Sequence, residues 1–103
     1  MSKYHSVKEE VDGIVFASKK EASRYRQLKL MEQAKAIQDL RIQVAFPLIK
    51  KSQHGREIKY VADFVYYDNG HLVVEDTKGY RTDVYKIKKR LMAEFYGIKI
   101  KET

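Results

Sequence analysis

A chain of 103 residues, 44% of them hydrophobic, has room for one core and not for a second. Lysine and arginine number 21 against 14 acidic residues, and the resulting +7 charge favours a polyanionic partner through counterion release, with nucleic acid the natural one. The absence of cysteine excludes disulfides and thiolate chemistry and leaves oxygen and histidine as metal ligands, and no apolar run approaches the roughly 20 residues of a membrane span.

The chain reads as a single domain over residues 1–103, with residues 1–10 loosely held. Met1 to Glu10 is polar and carries no apolar stretch ahead of a small-residue cleavage site, so no secretory leader is expected and the protein is placed in the cytoplasm. Val11, Ile14, Val15 and Phe16, broken by Asp12-Gly13, predict a small turn or hairpin. Ser18-Lys-Lys-Glu21 has the spacing of a capping box. Behind it Ala22, Tyr25, Leu28 and Met31 recur at helical spacing to about Lys35.

From Leu40 the period changes to two. Leu40, Ile42, Val44 and Phe46 alternate with Arg41, Gln43 and Ala45 and predict a strand that Pro47 interrupts. A polar connection from Lys50 to Glu57 leads to a second strand from Ile58 to Tyr67. Asn69-Gly70 then fits the positive φ angles of a type I′ hairpin turn, and the third strand runs from Leu72 to Lys78. Thr82 and Asp83 open a second helix with Val84, Ile87, Leu91 and Phe95 as its apolar stripe and Gly97 as its end. A short strand, Ile98 to Lys101, closes the sheet. The fold class is α/β (α+β): helix, three-stranded antiparallel meander, helix, short strand.

The hairpin register selects the chemistry. With Asn69 and Gly70 at the turn, Asp68 pairs with His71, Val65 with Val74, and Asp63 with Asp76. Like charges so opposed destabilise a sheet, and a hard divalent cation such as magnesium relieves them. Lys78, two residues past Asp76, extends the same face and is placed to orient or deprotonate a metal-bound water. Alternation turns Glu75 to the other side, beside Phe64, which favours Asp76 as the ligand unless a bulge reverses the order.

Ala62-Asp63, a hairpin, and Asp76-Thr77-Lys78 together resemble the PD-(D/E)xK signature of the restriction-endonuclease-like superfamily. More narrowly, the chain is similar to small phage-encoded nuclease-like proteins related to RecU-type Holliday-junction resolvases. The likeness runs through Lys3-Tyr4-His5-Ser6, Ser18-Lys-Lys-Glu21-Ala22, Leu40-Arg-Ile-Gln43, Tyr60-Val-Ala-Asp63-Phe64 and Glu75-Asp76-Thr77-Lys78-Gly79. Ala62 departs from the signature proline, and Asp76 is a shorter acid than the glutamate common there. The resemblance implies that Asp63, Asp76 and the Thr77 carbonyl ligate Mg2+ or Mn2+, and that Lys78 assists the attacking water. It also implies a supporting catalytic acid at Glu21, which has the alternative role of capping glutamate, and a glutamine near the active face at Gln43, which is equally an ordinary strand residue.

DNA would be positioned through its phosphates by Lys86, Lys89 and Arg90 on the second helix, with Lys88 nearby, and by Lys50, Lys51, His54 and Arg56 in the loop between the first two strands. Either group is otherwise a solvated face. The leading expectation is a Mg2+-dependent endonuclease acting on DNA in a phage or prophage setting, in recombination or replication at branched junctions. Symmetric cuts at a junction need two centres and so point to a homodimer. A catalytically silent DNA-binding module on the same fold is the alternative, ahead of a structural or regulatory phage protein that binds no DNA.

Overall fold

The structure, a computed structural model, describes residues 7–77 and 81–103. Strands β1 (Glu9–Val11) and β2 (Ile14–Phe16) form a two-stranded antiparallel sheet. Asp12 and Gly13 join them, both with positive φ, +53° and +78°. The tight turn gives the hairpin expected from Val11 onward and lets Glu9 and Glu10, expected in a loosely held stretch, pair as strand, and the Tyr25 hydroxyl ties that turn to the helix behind it by donating to Asp12 at 3.2 Å.

Helix α1 (Lys19–Gln33) begins where Ser18 Oγ accepts the Glu21 N–H at 3.1 Å, and it buries Ala22, Tyr25 and Leu28. Strands β3 (Gln38–Ile49), β4 (Ile58–Asp68), β5 (His71–Asp76) and β6 (Lys101–Glu102) then make one sheet in that order, antiparallel except for β6, which runs parallel to β5. β3 continues through Pro47 to Ile49, beyond the expected interruption. As an edge strand it can accommodate the missing N–H, and a register shift follows directly. Asn69 and Gly70, with φ of +52° and +81°, turn β4 into β5 with Asp68 opposite His71, the register read from the sequence.

Helix α2 (Asp83–Tyr96) starts at a Thr82 cap, whose Oγ1 accepts the Tyr85 N–H at 3.0 Å, and stops at Gly97 in the left-handed region. Its buried side differs from the expected stripe. Tyr85 and Met92 pack against the sheet, whereas Val84, Ile87 and Phe95 are 60%, 61% and 56% exposed. Tyr85 and Met92 fit because the facing strands offer Val65, Val74 and Tyr60 as an apolar bed, with Ile100 beside them, while the Tyr85 hydroxyl finds Glu102 at 2.8 Å. The closing strand is shorter than expected, since Ile98 and Ile100 serve the core and only Lys101 and Glu102 pair with β5.

The sheet carries a separate apolar cluster on each face. One joins α1 to Phe16, Ile37, Phe64 and Tyr66, and the other joins α2 to Tyr60, Ala62, Val65 and Val74. Along β3, Leu40 and Ile42 belong to the α1 cluster while Val44, Phe46 and Leu48 belong to the α2 cluster. Residues at period two would share one face of a regular strand. Both strands therefore turn over between Ile42↔Phe64 and Val44↔Ala62, where Gln43, with φ of +51°, stands opposite Asp63. This corrects the single-faced reading of β3, and it explains why Val61 is exposed while Ala62 and Val65 are buried.

Candidate functional site

The turnover is where polar side chains converge. Asp63 sits at the point where β4 and β5 separate, because their pairing ends at Phe64↔Glu75, one pair short of the expected Asp63–Asp76 opposition. Past that pair the Asp63 side chain substitutes for the ladder, Oδ2 accepting the Thr77 N–H at 2.8 Å. Asp63 and Asp76 nevertheless lie within hydrogen-bonding reach when one carries a proton. Burial, the adjacent Asp76 and the more distant Glu21 push the Asp63 carboxyl up to about 7, against the lowering effect of the Thr77 N–H.

Asp76 is 2% exposed, and Tyr60, from the neighbouring strand, donates its hydroxyl to Oδ2 at 2.5 Å. Burial and that bond raise the Tyr60 phenol far above its ordinary value, so it remains a donor. From the other face Glu21, at the first turn of α1, accepts a hydrogen bond from Gln43 Nε2 at 3.2 Å. A left-handed backbone costs a residue other than glycine on the order of 1 kcal/mol or more. At Gln43 it accompanies the turnover and a side chain delivered to Glu21.

The fold thus brings together Glu21, Gln43, Asp63, Asp76 and Thr77 from four consecutive elements. Lys78 lies outside the described residues, as do Lys3 to Ser6. Among the described residues, no three His, Asp or Glu side chains are arranged to hold a metal ion. Glu75 turns the other way, fully buried, where Arg24 grips it through Nε and Nη2 at 2.8 and 2.6 Å and Tyr66 donates to it. It pins β5 to α1 and stands on the opposite face from Asp76.

The basic candidates separate as well. Lys50, Lys51, His54 and Arg56 are exposed in the β3–β4 loop, whose near end at Ile58 is five residues from Asp63, roughly 17 Å along the strand. Lys89 is tied down, its Nζ 3.2 Å from Glu102, which also binds Arg81 and Tyr85. Arg81 first, then Tyr85 and Lys89, hold the Glu102 carboxyl down at about 2. Among the described residues the ion-pair partner of Lys86 is the exposed Asp83, at 4.0 Å, and Arg90 is exposed. Sequence reasoning missed Tyr60 and Arg24 as partners of the two acids. No local spacing signals a contact across 16 residues, still less one across 51.

A family described as protein of unknown function (DUF1064) matches residues 1–102. The chain belongs to the DUF1064 family. No curated protein and no solved structure matches it. In this DUF1064 chain the acidic cluster around Asp63 and Asp76 carries the most strongly perturbed carboxyl chemistry among the described residues.

Proposed function

We propose that this DUF1064 protein is a metal-dependent endonuclease with a restriction-endonuclease-like core that hydrolyses DNA phosphodiester bonds, in keeping with the phage resolvase-like resemblance of its motifs. The carrying observation is the adjacency of Asp63 and Asp76: burial and that neighbouring carboxylate push the Asp63 carboxyl up to about 7, a crowding of charge that a cation would relieve. Two hard carboxylates, the Thr77 carbonyl and water make an oxygen donor set suited to Mg2+ or Mn2+. Bound there, such an ion would supply Lewis-acid polarisation of a phosphate and a more acidic water.

The chain's own residues hold that set in place. The Thr77 N–H fixes one oxygen of Asp63, the Tyr60 hydroxyl fixes one of Asp76, and Gln43 restrains Glu21, whose charge adds to the field on Asp63. Lys78 follows Thr77 directly and is assigned to the attacking water or the phosphate. The test is cleavage of linear, nicked and four-way DNA in magnesium. Wild-type cleavage is expected to vanish in EDTA and to fall by about a hundredfold or more in Asp63→Ala and Asp76→Ala. Equal cleavage by Asp63→Ala defeats the proposal.

A second reading, a DNA-binding module without catalysis, is favoured by the net charge of +7. It predicts salt-sensitive binding and no cleavage in either metal. If junctions are cut symmetrically, sedimentation of the DNA complex is expected to show two protein chains per junction.

A further inference from the structure

A cavity of about 350 Å³ opens between β4 and α2 directly against Asp76, and Lys59, Tyr60, Val61, Val84 and Lys88 are among its walls. That volume is at the low end of small-ligand sites, roughly 300 to 1,000 Å³, and suits one nucleotide unit. Its walls divide by chemistry. Among the described residues neither Lys59 nor Lys88 has a carboxylate partner, whereas Lys89, one residue on, is held by Glu102. Two uncompensated ammonium groups at one opening attract a phosphate. Val61 and Val84, 39% and 60% exposed, offer apolar surface that a sugar or base edge would cover. The third feature is Asp76 itself, which lines the same cavity and sets it beside the acids of the proposed metal site.

We propose that this cavity seats the nucleotide next to the phosphate under attack, with Lys59 and Lys88 on its phosphate, and that a divalent cation at Asp76 strengthens the seating. The proposal deepens the nuclease reading and rests on it for the position of the scissile bond. Lys59 and Lys88 add to the basic residues expected from the sequence, and unlike Lys86, Lys89 and Arg90 they line a cavity that Asp76 also lines.

The experiment measures binding of a labelled DNA duplex by fluorescence anisotropy over a series of salt concentrations, in EDTA and in Ca2+. It compares the wild type with Lys59→Gln, Lys88→Gln, the double variant, Lys50→Gln/Lys51→Gln and Asp76→Asn, each first checked for folding by circular dichroism. Each cavity lysine variant is expected to weaken binding about tenfold and to lower the slope of log affinity against log salt by about 1. Asp76→Asn is expected to lose the increment that Ca2+ adds and to keep or improve binding in EDTA. Wild-type affinity and slope in the Lys59→Gln/Lys88→Gln double variant overturn the proposal. If that happens while Asp63-dependent cleavage persists, the cavity assignment alone is lost. If the slopes fall as expected but no cleavage occurs, the nuclease reading is lost and the cavity remains a DNA site.

Discussion

Replacing Asp63 by asparagine keeps the shape and the acceptor for the Thr77 N–H while removing the carboxyl that competes with Asp76. The shift from 3.8 to about 7 spans about three units at about 1.4 kcal/mol each, or about 4 kcal/mol in all. A raised carboxyl means that the folded state holds a proton the unfolded state has released. Its contribution to stability is whole below pH 4 and is lost as pH rises through 7. Burial and the charges of Asp76 and Glu21 act together on Asp63, so the variant should recover part of that total. In EDTA, urea denaturation is expected to show Asp63→Asn more stable than wild type by about 2 to 4 kcal/mol at pH 8 and near parity at pH 4. Millimolar magnesium should narrow the gap at pH 8 by stabilising the wild type alone. A wild type and variant with parallel stability curves from pH 4 to 8 would refute the crowding of charge on which the site depends.

Arg24→Met leaves Glu75 buried and charged without its guanidinium, and denaturation is expected to show a loss of about 3 to 5 kcal/mol, much of it restored by adding Glu75→Gln. Gln43→Gly relieves the left-handed backbone but drops the bond to Glu21, so melting should show stability unchanged or raised by about 1 kcal/mol while cleavage falls. Glu102→Gln weakens the hold of Arg81 and Lys89 on β6 and should cost about 1 to 2 kcal/mol at neutral pH. Because Glu102 is held at about 2 against 4.5 when unfolded, its stabilisation is present above pH 4.5 and fades as pH falls through 2, so the variant should flatten the acid limb of the stability curve.

Local chemistry made much of this fold legible. Asn69-Gly70 specifies its own turn and hence the Val65↔Val74 register, and Ser18, Thr82 and Gly97 mark helix ends through hydrogen bonds made within a few residues. The turnover at Gln43 and Asp63 was not legible, because the apolar alternation of Leu40, Ile42, Val44 and Phe46 continues across it without a glycine to announce a positive φ. Helix α2 misled for a related reason. It carries two apolar faces, and the sheet, absent from any helical periodicity, selects Tyr85 and Met92 over Val84 and Ile87. The proximity of Asp63 and Asp76 was legible in outline, but the ladder's early end and the Thr77 N–H that occupies the gap were not.

Because β3 and β4 change sides midway, α1 and α2 each shelter a different half of the same ribbon, and Asp63 lies at the seam between the two halves. Substitutions that repack one apolar cluster leave the other's contacts in place. Such a protein can drift in either hydrophobic half while its acidic seam holds, provided the crossover of the two strands survives.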